Sequence, residues 1–336
     1  MEIWHKILQI ALHAPSPHNV QPWRIKILDE SRAELYIDST RTLPKEDTTG
    51  SFIILTMGIF LEAVDILARR EQLRIEYELA HPPEWYAPAI LETKTPTLLP
   101  FARIELIKTD RSENPYDESL FLRRRTSRLS LLPEKVPPKV TETLKKLAAE
   151  FGQHYSEITD KETIEKVINR NIEAVFEDLN SPDYQEELVS WFRFSERESA
   201  EKLDGLDYRC MNTSRLNFRL SARAPWLLNL PLFRQILWRE YRRQLGVVPT
   251  IGLLAGGFWK PADAINSGRC LMRFWLETAK HNLYIHPYGN LVTNPDAANW
   301  WNENIKIPET WLIFKIGYSA EPPKSHRLSL EKILVN

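Results

Sequence analysis

The chain has 336 residues, 43% hydrophobic and 26% charged, with 44 Lys and Arg against 45 Asp and Glu. It is long enough to bury a large core, and its near-neutral balance excludes a global field that would steer it to nucleic acid or to an anionic membrane, so a bound anion must be held by local clusters. The two cysteines, Cys210 and Cys270, fit neither a metal spacing nor a disulfide framework, which predicts separate buried thiols in a reducing, cytoplasmic setting; no stretch approaches the roughly 20 apolar residues needed to span a bilayer.

Ile3, Ile7 and Ile10 recur at helical spacing, and His5 and Lys6 interrupt the apolar run, so the first residues read as an amphipathic helix rather than a signal peptide. Ala14-Pro15-Ser16-Pro17-His18-Asn19-Val20-Gln21-Pro22-Trp23 follows as a rigid loop. Trp23 to Leu28 and Ala33 to Asp38 alternate apolar and polar residues around Asp29-Glu30-Ser31, the pattern of a half-buried hairpin. Gly58 opens an apolar helical run (Ile59, Phe60, Ala63, Val64, Leu67) that leads to Leu73-Arg74-Ile75. The proline-rich stretch Pro82 to Pro100 reads as loop, and Ala102 to Ile107 as strand. Beyond Arg124-Arg125-Thr126-Ser127-Arg128, Lys139 to Glu150 and Lys161 to Leu179 have helical spacing. Ser181 to Val248 is a long insertion with many Arg, Trp and Phe residues, of the kind that forms lids or docking arms.

Gly268 then opens a second apolar run (Leu271, Phe274, Leu276, Ala279) leading to Leu283-Tyr284-Ile285, with a later strand at Trp311 to Ile316. The spacing repeats, since 73 − 58 = 15 and 283 − 268 = 15. The order of elements predicts two related halves, 1–117 and 118–336, with the insertion near 181–248 in the second, and an α+β fold. No Gly-x-Gly-x-x-Gly follows a strand, and Gly252 to Gly257 lacks the ending of a P-loop, which argues against Rossmann and P-loop sites. Gly317 to Arg327 reads as a final loop carrying Lys324, His326 and Arg327.

The Ala14 to Trp23 loop offers a hydroxyl and an amide beside an aromatic, and Arg124 to Arg128 offers clustered guanidiniums with two hydroxyls. Together they predict a site for a phosphate joined to a flat ring, because planar guanidiniums satisfy two phosphate oxygens each and stay ionised. His13 and His18 are five apart, off the i,i+4 spacing of a helical metal pair, and are expected as surface or loop residues; no metal site is expected. Trp191, Phe192, Phe194 and Trp226 carry two readings, as a roof over the ring or as anchors of the insertion.

These residues resemble the FMN-dependent nitroreductase family, and within it the Acg-like branch, in which two nitroreductase halves are fused. The likeness covers nearly the whole chain and includes Arg41 to Asp47, Glu187 to Trp191, Asp204-Gly205-Leu206 and the Gly317 to Arg327 tail. In ordinary members the arginine element comes first. Here the first half keeps Ala14 to Trp23 and the second keeps Arg124 to Arg128, with Phe151-Gly152-Gln153-His154-Tyr155 where a Gln-Pro-Trp copy is expected.

The resemblance implies a nitroreductase-like α+β fold, built as an internal pseudo-dimer with one intact flavin site. It implies that Arg124, Arg125, Thr126 and Arg128 contact the phosphate and ribityl chain, and that Pro15, Ser16, Pro17 and Asn19 touch the flavin from the other half. Lys324 and Arg327 match the basic pair that closes on the phosphate, and His286-Pro287-Tyr288-Gly289-Asn290 matches the loop at the flavin N5 edge. Many relatives have a second small hydroxyl residue where Pro17 stands, and Glu-Gly where this chain has Tyr288-Gly289. The implied reaction passes hydride from NADH or NADPH through FMN to a small nitroaromatic, quinone or other conjugated acceptor. It needs no protein nucleophile; Gly289 would serve as backbone donor and Arg128 as the cation that stabilises charge on the ring. A flavin-sequestering protein without turnover is the alternative. With the pseudo-dimer interface internal, a single chain is expected to suffice for action on a small molecule, further dimerisation staying open, with neither nucleic acid nor membrane as partner.

Overall fold

Trp4, Ile7, Leu8 and Ala11 form the buried stripe of α1 (Glu2–Ala11), as the spacing of its apolar residues predicts. The computed structural model describes residues 1–110 and 116–335. After α1 come β1 (Trp23–Ile27) and β2 (Arg32–Asp38), joined by a turn in which Asp29 Oδ1 accepts from the backbone N–H of Ser31 and Arg32 at 3.0 and 2.8 Å. Then follow α2 (Ser51–Arg69), β3 (Leu73–Leu79), α3 (Tyr86–Glu92) and β4 (Leu98–Lys108). The stretch read as loop from Pro82 to Pro100 therefore contains a helix and the start of a strand. Tyr86 fixes that helix by burying its ring and donating its hydroxyl to Phe101 O at 2.6 Å.

The second part begins with α4 (Glu118–Arg123), α5 (Pro138–Glu150) and β5 (His154–Ile158). Between β5 and the next core strand lie α6 (Lys161–Asn180), α7 (Pro182–Ser190), β6 (Phe192–Arg193), α8 (Glu196–Lys202), β7 (Leu206–Asp207), α9 (Arg215–Arg223) and α10 (Pro231–Leu245). The chain then continues through β8 (Ile251–Ala255), α11 (Pro261–Lys280), β9 (Tyr284–Pro287), α12 (Asn290–Thr293), α13 (Pro295–Asn304), β10 (Thr310–Gly317) and α14 (Leu330–Ile333).

Two four-stranded antiparallel sheets result, ordered β1-β2-β4-β3 and β5-β8-β10-β9. Each sheet takes its first two strands, then a long helix, then its last two, so strand order and helix placement repeat. The short β1–β2 turn corresponds in the second sheet to everything from residue 159 to 250. The sheets also cover each other's edges. Thr126, beyond β4, pairs with Ile285 of β9, and Leu334, beyond β10, pairs with Ile25 of β1.

The long helices α2 and α11 pack on one another within a single apolar core drawn from both sheets. Helix α2 is long and apolar enough, by length and composition, to cross a membrane, which corrects the expectation that no segment approaches that length; its apolar window is buried entirely within the protein. The insertion has its own small core, in which Phe192 stacks on Phe218 at 4.2 Å with Phe194 tilted beside them. Trp191 is buried and Trp226 is exposed. Trp191, in the main core, matches the reading in which these aromatics anchor the insertion, whereas Phe192 and Phe194 pack within the insertion itself. Cys270 is buried as expected, whereas Cys210 is only partly covered; both are free.

Candidate functional site

The turn after α1 carries the first predicted segment. Ser16 is extended and Pro17 starts a short 3-10 turn, while His18, Asn19 and Gln21 take left-handed φ angles of 46°, 57° and 52°. Such angles need external support for a residue as long as Gln. Ser16 Oγ accepts from Gln21 N at 3.0 Å, and the buried Gln21 side chain donates to Leu203 O at 3.0 Å and accepts from Leu328 N at 2.8 Å. Asn19 Nδ2 donates to His326 O at 3.1 Å and Gly205 O at 3.4 Å. The loop of Pro15, Ser16, Pro17 and Asn19 is therefore clamped between the insertion and the C-terminal tail.

The second segment leaves α4 as extended chain, because Thr126 pairs beside β9 and Ser127 N donates to Ile285 O at 3.1 Å. Arg124 is buried, donates from Nη2 to His13 O at 3.1 Å and lies 4.7 Å above the Trp275 ring. This hydrogen bond joins the two segments the sequence singled out. Arg125 turns instead to the tail, meeting Glu321 and Pro322 O, each at 2.7 Å, so its charge is already matched by a carboxylate.

A cleft of about 480 Å³ opens beside the joined segments, its wall including His13, Arg209, Lys324, His326 and Arg327. His13 was expected at the surface or in a loop. It lies in the turn after α1, partly covered, and burial together with the charges of Arg327, Lys324 and Arg124 lowers its pKa to about 4. Burial and the nearby Arg327 bring Arg124 down to about 9, and burial brings Arg327 to about 10. None of Arg124, Lys324 and Arg327 has an ion-pair partner among the described residues, and the Nε atoms of Arg124, Arg125 and Arg327 are buried without hydrogen-bond partners there. Clustered cations with spare donors disfavour one another until an anion arrives, so the cleft can take a multiply charged anion such as a phosphate monoester.

Deeper in, Arg128 donates to Cys210 O at 3.1 Å, and Asn212 Nδ2 donates to Arg128 O at 3.2 Å. Burial lowers the Arg128 pKa, partly offset by Cys210 and Tyr241. Burial, followed by the charges of Arg128 and Lys315, holds His286 neutral, with Nδ1 unpartnered among the described residues. Lys315 is fully buried on two carbonyls, Leu129 O at 2.6 Å and Leu245 O at 3.4 Å, and burial with Arg128 brings it to about 7.

Pro287 ends β9 opposite Phe314. Tyr288 is buried with its hydroxyl unpartnered among the described residues, but its backbone N–H is committed to Ile313 O at 2.7 Å. Gly289 faces Glu46, and a Cβ there would stand 3.9 Å from Glu46 Oε1.

Glu46 belongs to a pair that spacing did not reveal. His18 Nε2 lies 2.9 Å from Glu46 Oε2, and both side chains are largely buried, so His18 stands in the loop as expected but not at the surface. Burial pulls His18 down, but the charge and hydrogen bond of Glu46, with Glu187 adding, leave its pKa raised. Burial pushes Glu46 up, yet His18 and a Tyr184 hydrogen bond outweigh it and hold the carboxyl low. Glu187 of the insertion in turn accepts from the backbone N–H of Lys45 and Glu46, both at 3.0 Å. The only sequence signal for this pair was an acidic residue in the Arg41 to Asp47 segment.

No family model and no curated protein matches the sequence. Solved structures do resemble it. A nitroreductase-like protein from Anabaena variabilis is 10% identical, with 95% of this chain and 88% of that one covered at a TM-score of 0.49. The FMN-dependent nitroreductase NfnB from Mycobacterium smegmatis, solved with NADPH, is 15% identical, covering 64% of this chain and 95% of its own at 0.38. A nitroreductase from Bacteroides fragilis with bound FMN is 14% identical, covering 65% and 97% at 0.36.

Proposed function

We propose that the protein is an FMN-dependent oxidoreductase of the nitroreductase type, in which two related halves, 1–117 and 118–336, are fused as in the Acg-like branch and build one flavin site. The observation that carries this reading is the Arg124 to His13 hydrogen bond, which joins the loop of one half to an arginine of the other beside a cleft whose Lys324 and Arg327 have no ion-pair partner among the described residues. The spare buried donors of Arg124 and Arg327, with Lys324 at the mouth, fit a phosphate monoester. Ser16, Asn19 and Thr126 would hold the chain that follows, and Arg128, the Pro287-Tyr288-Gly289 turn and the His18–Glu46 pair would surround the ring.

Bound there, FMN supplies hydride chemistry, taking electrons from NADH or NADPH and delivering them to a small nitroaromatic, quinone or other conjugated acceptor. Arg128 supplies a fixed cation with no carboxylate partner among the described residues, and so favours negative charge beside it. Gly289 offers the backbone N–H of the turn, since that of Tyr288 is spent on the sheet. The insertion keeps water from the site through its contacts at Asn19, Gln21 and Arg128. The chain works as a monomer in the cytoplasm.

The purified protein is expected to be yellow, or to turn yellow with FMN; colourless protein that FMN titration leaves unchanged overturns the reading. The same closure of the insertion favours a second reading, flavin storage without turnover. Anaerobic mixing with NADPH separates the two, because bleaching at catalytic speed excludes storage alone.

A further inference from the structure

The insertion carries a surface that neither the cleft nor the core uses. From Tyr208 to Arg239 it contains six arginines and no acidic residue. Arg215, Arg219, Arg223, Arg234 and Arg239 have no ion-pair partner among the described residues, whereas Arg209, Arg242 and Arg243 all do. Helix α9 turns Phe218 and Ala222 inward and leaves Leu216 and Leu220 exposed. Trp226 follows at 59% exposure. The first two turns of α10 then expose Leu232, Phe233 and Ile236, at 68, 45 and 52%, and only the later part of that helix packs on the core, through Trp238, Tyr241 and Leu245. Large apolar side chains standing this far into solvent beside unmatched guanidiniums have a poor resting place in water.

We infer that the α9–α10 arm docks the protein on an anionic lipid bilayer, with Trp226, Leu232, Phe233 and Ile236 entering the interface and the arginines lying against headgroup phosphates. Charge complementarity selects this occupant. A two-fold contact with a second copy would set the same patch against itself and bring five unpaired arginines onto five others. A nucleic acid would answer the arginines but has no use for exposed Leu and Ile. An anionic interface satisfies both, since aromatic and aliphatic side chains partition into it while Arg pairs with phosphate. The near-zero net charge of the whole chain is no guide to so local a surface.

The test is co-sedimentation of the full chain with vesicles of phosphatidylcholine alone or enriched in phosphatidylglycerol, at low and high salt. Binding is expected to the anionic vesicles, with release by salt. Arg234→Gln with Arg239→Gln should weaken partitioning about 30-fold, at roughly fivefold per arginine lost near a charged surface. Phe233→Ser with Ile236→Ser should weaken it at least about tenfold. All four side chains are exposed, so circular dichroism should show both variants folded. No preference for the anionic vesicles, or equal binding by folded variants, overturns the proposal. So does a solution dimer that Phe233→Ser with Ile236→Ser dissociates, which would make the patch a self-interface. A chain that ignores vesicles yet is retained by a polyglutamate resin overturns it in favour of an acidic protein partner.

Discussion

Gly58 of α2 and Gly268 of α11 touch where the two long helices cross. A Cβ on Gly58 would stand 2.1 Å from Ile265 O, and one on Gly268 would stand 2.1 Å from Leu55 O. The relationship is reciprocal, because each added carbon meets the carbonyl three residues before the other glycine (268 − 265 = 3; 58 − 55 = 3). These are the glycines that stand at equal distance before Leu73 and Leu283. The repeat visible in the sequence therefore meets itself at the centre of the molecule, and close backbone approach explains why both positions lack a side chain.

Gly58→Ala or Gly268→Ala should destabilise the protein. Alanine gains about 1 kcal/mol of helix propensity over glycine, but the obstructing atoms are backbone and cannot swing away, so overpacking at the upper end of about 1–3 kcal/mol or beyond is expected to win. Thermal denaturation reads the outcome, and a Tm equal to or above that of the parent would show that the helices can separate at little cost.

The same interface holds a carboxylate. Glu62 of α2 is fully buried and paired with Arg269, at 2.7 Å, and with Arg273, both from α11. Glu62→Ala leaves Arg269 without a carboxylate and Arg273 with only the distant Asp65 at 3.9 Å; because both guanidiniums are partly exposed, the cost should fall toward the lower end of about 3–5 kcal/mol. Urea denaturation measures it; a loss below about 1 kcal/mol would mean that solvent already screens the pair.

The sequence-level reading reached furthest where local pattern and tertiary structure agree. The β1–β2 hairpin announces itself by alternation around Asp29-Glu30-Ser31, and both glycine-led helices by apolar spacing. Where the second part has no recognisable Gln-Pro-Trp copy, Gln153 bridges all the same, accepting from Trp311 Nε1 at 2.8 Å and donating to Gly257 O at 3.0 Å, much as Gln21 ties loop to tail in the first. Helix α3 was hidden because its prolines sit where a helix tolerates them, before the helix and in its first turn. The His18–Glu46 pair was hidden for another reason. Its partners are 28 residues apart (46 − 18 = 28), and only the left-handed turn at His18 aims the ring inward. Nor does an arginine run reveal that Arg124 and Arg125 diverge, one to His13 and the other to Glu321; pairing beside β9 imposes that alternation.

The His18–Glu46 pair sets a pH window. The raised His18 pKa gives stability that is complete below the ordinary histidine value of 6.5 and is lost as pH rises through the higher folded value. The lowered Glu46 pKa gives stability that is present above its ordinary 4.5 and lost as pH falls through the lower folded value. Glu46→Gln should therefore reverse the His18 shift, since burial, the largest cause, then outweighs the remaining Glu187 charge and is joined by Arg128, and NMR titration of the His18 ring should find it below 6.5. A titration unchanged by the substitution would show that Glu46 is not the group holding the proton on His18.

The cleft makes the opposite demand on His13. Its pKa of about 4 arises from burial first, then from Arg327, Lys324 and Arg124, so the unfolded chain takes up a proton between pH 6.5 and about 4 that the folded chain refuses, and stability falls as pH drops through that range. Arg327→Leu should raise the His13 pKa and flatten this fall while weakening FMN binding, because one guanidinium serves both effects. Arg124→Ala should weaken FMN by about 1–3 kcal/mol if its spare Nε donor meets phosphate. Saturating the parent with FMN should raise the His13 pKa too, since an added dianion opposes the three cations. Flavin fluorescence titration and histidine NMR on the same samples check all of this together. Flavin affinity untouched by either substitution, with His13 still displaced, would leave a cationic cleft built for some other anion.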